Sequence, residues 1–375
     1  MQDAFINLKP LLEFSLWEKM RNQRKLISFD LEITARCNNN CRHCYINLSA
    51  NNRMAQNEEI SFDQIKKITH QAKKLGALWC LLTGGEPLLR KDFFDIYLYL
   101  KKQGFLISVF TNAALITQKH IDFFKKYPPR DMEVTVYGVT KETYERVTRK
   151  PGSFDAFMRG LNLLLKNGIK VRFKAMALRS NVAELPKIAA FCRAKTKDYF
   201  RFDPFLHLRY DRNSKRNLEI KSERLSAEEI VIIERADNQR CSALEKGCDK
   251  LIMPEAEQIN CQHLFHCGAG MSGFSVSYKG YLRLCASLWK VDCMYDLKKG
   301  NLAEAFNRFV LGVRDRRSNK KEFLQKCRKC PIINLCIWCP AHAHLETGHL
   351  DKPVDYFCQV AHARFKAFGD KLKQA

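Results

Sequence analysis

FDLEITARCNNNCRHCY, Phe29 to Tyr45, runs a strand-like segment directly into three cysteines on one short loop. Phe29 to Thr34 has the apolar and β-branched content of a strand, and Cys37, Cys41 and Cys44 follow within ten residues of its end. Three thiolates on such a loop can take three corners of a cubane iron-sulfur cluster and leave the fourth iron without a protein ligand. A zinc site is the competing reading, with His43 as its fourth ligand. Structural zinc ligands more often come as two separated C-x2-C pairs, which favours the cluster.

Outward from this stretch, strand-like runs recur at Leu78–Thr83, Leu106–Phe110, Met132–Val136, Lys170–Ala177 and Phe200–Phe205. Helical patterns lie between them. Ser61 to Leu75 places Ile65, Ile68 and Ala72 on one face, with Ser61 as N-cap, Gln64 completing a capping box and Gly76 ending the helix. Six β-then-α units predict an α/β fold with a parallel sheet, either doubly wound or curled into a barrel.

Further candidate features sit at the ends of these strands. Gly84-Gly85-Glu86-Pro87 follows the second: the glycines allow close backbone approach, Glu86 offers an acceptor for an ammonium and Pro87 stiffens the exit. The bland alternative is an ordinary strand-to-helix turn. Thr111-Asn112-Ala113 follows the third strand, and Thr135, Tyr137 and Gly138 close the fourth. Ligands bind at the C-terminal edge of parallel strands in barrels and open sheets alike, so this clustering predicts a site there.

Beyond Arg209 the composition changes. Residues 209–260 read as a charged helical linker, with one helix over Ala227–Asp237 after the Ser226 cap and no strand. From Cys261 to Cys358 nine of the sixteen cysteines occur in glycine-punctuated segments with little periodic apolar pattern, so metal staples are expected to hold this part. Its cysteines are Cys261, Cys267, Cys285, Cys293, Cys327, Cys330, Cys336, Cys339 and Cys358. Local spacing alone allows a zinc ribbon from Cys327, Cys330, Cys336 and Cys339. Cys80 and Cys192 read as core residues; Cys241, Cys248 and Cys293 stay open as alternative ligands, and His342, His344 and His349 as loop histidines.

The 375 residues are 46% hydrophobic and 28% charged, which excludes a disordered chain and leaves ample material for a core. The longest apolar run, Ala77–Leu82, is too short to span a membrane, and Glu13 and Glu18 spoil the N-terminal stretch as a signal peptide; a cytoplasmic protein is expected. In that compartment sixteen cysteines point to metal or cluster ligation and not to disulfides. A net charge of +24 suits an acidic partner.

The C-x3-C-x2-C spacing followed by Tyr45, together with the GGEP loop, resembles the radical S-adenosylmethionine (radical SAM) enzymes. The resemblance implies a partial (β/α)6 TIM-like barrel over residues 28–208, with residues 1–27 as an N-terminal helical extension. It also implies a [4Fe-4S] cluster on Cys37, Cys41 and Cys44 whose open iron chelates S-adenosylmethionine, reductive cleavage to a 5′-deoxyadenosyl radical, and an electron donor such as flavodoxin or ferredoxin. Tyr45, Gly84, Gly85, Glu86, Pro87, Thr111, Asn112 and Thr135 fall where that family binds its cofactor. The family often has glycine where Ala113 stands. The cysteines of residues 261–375 resemble the SPASM extension, a small cysteine-rich iron-sulfur domain, here followed by a C-terminal helix. That resemblance implies one auxiliary [4Fe-4S] cluster on Cys261, Cys267, Cys285 and Cys339 and a second on Cys327, Cys330, Cys336 and Cys358. The expected function is oxidative modification of a peptide or protein side chain, with the charge predicting an acidic substrate. Modification of RNA or of a small molecule, and a non-catalytic metal scaffold, are the alternatives; no RNA-binding module is recognisable. Asp203, Tyr210 and Asp211, after the sixth strand, are the candidate catalytic residues.

Overall fold

A computed structural model describes residues 24–198, 200–251, 262–336 and 338–369. Most of the expected N-terminal extension and Cys261 lie outside the described residues. The main sheet takes its first six strands in chain order: β1 (Ser28–Thr34), β2 (Trp79–Gly84), β3 (Leu106–Thr111), β4 (Asp131–Thr135), β5 (Val171–Met176) and β6 (Arg201–Asp203). All five neighbouring pairs are parallel, in registers that set Phe29 beside Cys80, Cys80 beside Ile107 and Val134 beside Phe173. The main helices between them are α1 (Phe62–Lys74), α2 (Phe93–Lys102), α3 (Gln118–Lys126), α4 (Lys141–Thr148), α5 (Ser153–Lys166) and α6 (Leu185–Lys195). The Ser61–Gln64 capping box opens α1, and Gly76, at φ +98°, turns the chain out of it.

Strand period two sorts the side chains. Phe29, Leu31, Ile33, Cys80, Leu82, Ile107, Val109, Val134 and Phe173 are buried in the main core with the helices. The alternate residues Asp30, Leu81, Phe110, Thr135, Lys174 and Asp203 line one cavity. In a flat sheet β1 and β6 would stand about 24 Å apart at ordinary strand spacing. That both reach this cavity means the sheet curls into a TIM-like partial barrel.

The C-terminal part departs from expectation. Three more strands, β7 (Gly273–Val276), β8 (Tyr281–Arg283) and β9 (Tyr295–Asp296), extend the same sheet past β1, giving the order β9-β8-β7-β1-β2-β3-β4-β5-β6. β7 runs parallel to β1, and β8 and β9 are antiparallel additions. Phe274, Val276, Leu282, Phe306, Val310 and Phe323 belong to the same apolar core as Leu31, so this region buries far more than its pattern suggested. Strands of two to four residues are too short to display alternation, which is why their signal was missing. Residues 209–251 carry α7 (Ser214–Ser222), α8 (Ala227–Ala236) and α9 (Asn238–Leu251), and the chain closes with α10 (Pro340–Thr347) and α11 (Asp355–Phe368). No helix among the described residues is long and apolar enough to cross a membrane.

Candidate active site

The three-cysteine loop is pinched off at its base by a short parallel pairing of Arg36–Cys37 with Leu48–Ser49. The GGEP loop is zipped to it: Gly85 N–H donates to Thr34 O at 2.8 Å and Glu86 N–H to Arg36 O at 2.9 Å. A Cβ on Gly84 would fall 2.0 Å from Thr34 O, and one on Gly85 2.4 Å from Arg36 O. Both glycines are therefore required by the closeness of two backbones, and Gly84 also sits at φ +135°.

Glu86 has other work than the sequence suggested. Its buried carboxylate accepts from Thr111 Oγ1 at 2.9 Å, Asn112 N–H at 2.8 Å and Leu88 N–H at 3.2 Å, tying the exit of β2 to that of β3. Neither Glu86 nor Pro87 reaches the cavity wall, whereas Gly84 and Gly85 do. The candidate acceptors for an ammonium on this loop are therefore the backbone oxygens of Gly84 and Gly85, the loop residues that line the cavity. Burial raises Glu86 to about 7 despite its three donors. Ala113 keeps the left-handed backbone that glycine favours, at φ +61°, and its N–H donates to Thr111 Oγ1 at 3.0 Å. Asn112 Nδ2 reaches Asn38 Oδ1 at 2.8 Å and Cys37 Sγ at 3.7 Å.

The cavity encloses about 1420 Å³, part of it open to solvent. Cys37, Cys41, Cys44 and Tyr45 form one side; Gly84, Gly85, Thr111, Asn112, Thr135 and Tyr137 continue it strand by strand, and Lys174, Met176, Arg201 and Asp203 close the far side. Burial pushes all three thiols above their ordinary range; the thiols of Cys41 and Cys44 push Cys37 further, and that of Cys44 pushes Cys41. Such a trio ionises readily only beside added positive charge, which bound iron supplies. His43 is buried with Nδ1 unpartnered, and burial lowers it to about 4, so it is neutral at pH 7. Among the described residues no three Cys, His, Asp or Glu side chains converge tightly enough for a single metal ion. Thiols that share a neighbourhood without meeting at one point fit the corners of a cluster better than one zinc ion.

On the far side Lys174 Nζ lies 2.7 Å from Glu133 Oε1 and 3.8 Å from the centre of the Phe110 ring. Burial lowers Lys174, against the pull of Glu133. Arg201 shares the same carboxylate at 2.9 Å; burial opposes ionisation of Glu133, but the two cations hold it below the usual carboxylate range. Asp30, raised by burial, accepts from Ser275 Oγ at 2.8 Å.

Two further thiol groups lie in the C-terminal part. Burial pushes Cys339 up to about 12, with Cys285 and Cys267 adding to it, and Cys285 feels Cys267 in turn. Cys327, Cys330, Cys336 and Cys358 line a second cavity beside Trp338 and His362. Burial raises Cys336 to about 12, and Cys358, Cys327 and Cys330 all contribute.

Residues 31–192 match the family model of the radical SAM superfamily. Those residues form a radical SAM domain. S-adenosylmethionine and a [4Fe-4S] cluster are accordingly its cofactors, and the three thiols beside the cavity fit them. The AdoMet-dependent heme synthase of Methanosarcina barkeri is 28% identical over 168 residues, 45% of this chain and 47% of the relative. A second protein of that organism, Fe-coproporphyrin III synthase, is matched over 42% of its length, so this chain spans less than half of either. AlbA, the subtilosin biosynthesis protein of Bacillus subtilis, is 24% identical over 314 residues, 82% of this chain and 66% of AlbA. SuiB of Streptococcus suis, solved with S-adenosylmethionine, superposes with TM-score 0.65 at 15% identity, covering 91% of this chain and 80% of SuiB. The radical SAM barrel and a further C-terminal domain are shared with that fold.

Of the candidate catalytic residues only Asp203 lines the cavity. Tyr210 is turned to Tyr278, hydroxyl to hydroxyl at 3.0 Å, with its ring 4.5 Å from Trp289. Asp211 is held by Arg209 at 2.7 Å, and its carboxyl is lowered as a result even though burial opposes it. Cys80 and Cys192 are core residues. Cys293 is likewise in the main core, Cys248 packs with Ile332 and Leu335, and Cys241 lies beside Glu245. His342 and His344 are on α10 and not on a loop; the His342 ring is 4.2 Å from that of His207, which lines the cavity. Asp30, Lys174, Arg201 and His207 are cavity residues that the sequence did not single out. For Asp30, Lys174 and Arg201 a polar residue alternating with apolar ones in a strand was the available signal; His207, outside any strand, offered none.

Proposed function

We propose that this radical SAM enzyme is a peptide maturase, using the S-adenosylmethionine site on the barrel to oxidise a side chain of a peptide or protein. Cys37, Cys41 and Cys44 would hold the first cluster and backbone oxygens of Gly84 and Gly85 the methionine ammonium, with Thr111, Asn112, Thr135 and Tyr45 shaping the rest of the pocket. When bound, the cluster and S-adenosylmethionine supply a 5′-deoxyadenosyl radical that removes hydrogen from an unactivated carbon. Asp203 is the cavity residue proposed to accept a proton from the oxidised substrate.

The observation that carries the peptide reading is the pair of C-terminal thiol groups in a chain that covers 80% of SuiB and 66% of AlbA. Cys267, Cys285 and Cys339, with Cys261, would form one auxiliary site; Cys327, Cys330, Cys336 and Cys358 the other. Such a ligand set would resemble the SPASM arrangement. SuiB has been solved with its precursor peptide SuiA, and AlbA belongs to bacteriocin biosynthesis, which supports a peptide as substrate class. The net charge of +24 supports an acidic segment in it, recognised through screened attraction. KM for such a peptide is expected to rise with ionic strength while kcat holds.

A tetrapyrrole substrate is the second reading, favoured by the heme synthase match. Anaerobic turnover with S-adenosylmethionine and a reductant, offered acidic peptides encoded near the gene or iron-coproporphyrin, separates the two. A peptide losing hydrogen in stoichiometry with 5′-deoxyadenosine supports the maturase; turnover of the porphyrin with peptides untouched rejects it.

A further inference from the structure

Three arginines grip the three-cysteine loop from outside. Arg209, which follows β6 and lies beyond the stretch matching the family model, is 2% exposed. Its Nη1 donates to Cys44 O at 3.4 Å, Asn47 O at 3.1 Å and Asn47 Oδ1 at 3.1 Å. From α7, Arg216 Nη2 donates to Cys41 O at 2.9 Å and Asn47 Oδ1 at 3.2 Å. Arg149, closing α4 at φ +51°, donates through Nε to Asn40 O at 2.9 Å. Two carboxylates serve the three guanidiniums. Asp211 holds Arg209 at 2.7 Å, and Glu219 is shared by Arg149 at 2.8 Å and Arg216 at 2.5 Å. One positive charge is left over against the loop.

We propose that Arg209 and Arg216, with Arg149, are positioning residues that raise the reduction potential of the cluster held by Cys37, Cys41 and Cys44. The inference rests on reading those cysteines as cluster ligands. Reduction adds one negative charge to a cluster already ringed by thiolates, so nearby positive charge favours the reduced form. Arg209 is buried, and its charge is weakly screened by water and salt. A tether alone would need only hydrogen-bond donors. Charged forks paired with carboxylates supply donors and a field together. The grip also explains why a segment rich in charge lies against the barrel: its arginines face the loop's carbonyls.

The test is an anaerobic redox titration of the reconstituted holoenzyme, following the electron paramagnetic resonance signal that changes on adding S-adenosylmethionine. Iron is counted in parallel. Arg209→Gln keeps donors and removes charge; its midpoint is expected to fall by about 59 mV, the one-electron equivalent of a tenfold change in the redox equilibrium. Asp211→Asn removes a negative charge and is expected to move the midpoint upward with iron content unchanged. Opposite shifts are the signature of a field, since loosening the loop would not reverse sign. Should Arg209→Gln fail to fold, Arg216→Gln takes its place in the comparison. Unmoved midpoints, or downward shifts in both variants with loss of iron, overturn the proposal. A parent that binds iron but shows no signal responsive to S-adenosylmethionine defeats the cluster reading itself, a separate outcome.

Discussion

Gly85 and Glu86 show how single residues serve this site through backbone and burial. The Gly85 position admits no Cβ because Arg36 O would lie 2.4 Å from it, and Arg36 immediately precedes Cys37. Gly85→Ala is expected to push the β1 exit and the cysteine loop apart, at a cost of about 1 to 3 kcal/mol in stability. Its clearest readout is loss of S-adenosylmethionine binding; calorimetric binding at the parent affinity would show that the close approach is dispensable. Glu86 carries a pH signature. Its folded-state value of about 7 lies above its ordinary 4.5, so the folded protein holds a proton there that the unfolded chain releases. The stabilisation is full below 4.5 and is lost as pH rises through 7. At about 1.4 kcal/mol per unit, the stability of the parent relative to Glu86→Gln should decline by about 3 kcal/mol between pH 4.5 and 7. A flat difference in chemical denaturation midpoints across that range would mean Glu86 is ionised throughout.

At the scale of elements, β1 is the organising strand, with β2 on one side and β7 on the other. Across β7 it is joined to β8 by Glu32 and Arg283, both fully buried, at 2.6 Å. Arg283 also donates to Ala286 O at 2.8 Å and lies over the Trp289 ring at 3.8 Å. A buried pair of this kind contributes little over apolar replacement, but removing one partner strands the other. Arg283→Met is therefore expected to cost about 3 to 5 kcal/mol, and the Glu32→Leu/Arg283→Met double variant to recover most of it. Additive losses by thermal unfolding would show that the two act independently. The same elements explain what was legible in the sequence. β1 to β6 were readable because runs such as Lys170–Ala177 and Phe200–Phe205 carry strand composition over five residues or more between turn signals. β7 to β9 were not, since β7 is placed by pairing with β1, and β8 and β9 by pairing outward from β7, and not by local pattern. Within the site, Cys37, Cys41, Cys44 and the GGEP loop are contiguous motifs. Lys174 and Arg201 look like solvent-facing strand residues until curling of the sheet turns that face inward.

Taken whole, the molecule keeps the thiols proposed as cluster ligands in three neighbourhoods, and that separation makes their occupancy independently measurable. The first lies at the mouth of the barrel, between the ends of β1 and β2; the other two involve residues after β6, with Cys339 and Cys285 in one and Cys327, Cys330, Cys336 and Cys358 in the other. If each holds a four-iron cluster, anaerobic reconstitution should give about twelve irons per chain. Replacing Cys37, Cys41 and Cys44 together by Ala should remove the first cluster alone and leave about eight, because among the described residues no other thiol lines the cavity. Cleavage of S-adenosylmethionine should vanish with it. Cys336→Ala should instead remove about four irons from the group with Cys358 while cleavage of S-adenosylmethionine persists uncoupled from peptide product. Zinc would give a different count, about one metal per closed site, so metal analysis on the same samples separates the two readings of the C-terminal thiols. Iron lost from all three sites in the triple variant would mean that the neighbourhoods fold as one cooperative unit, coupled through the continuous sheet that joins β7 to β1.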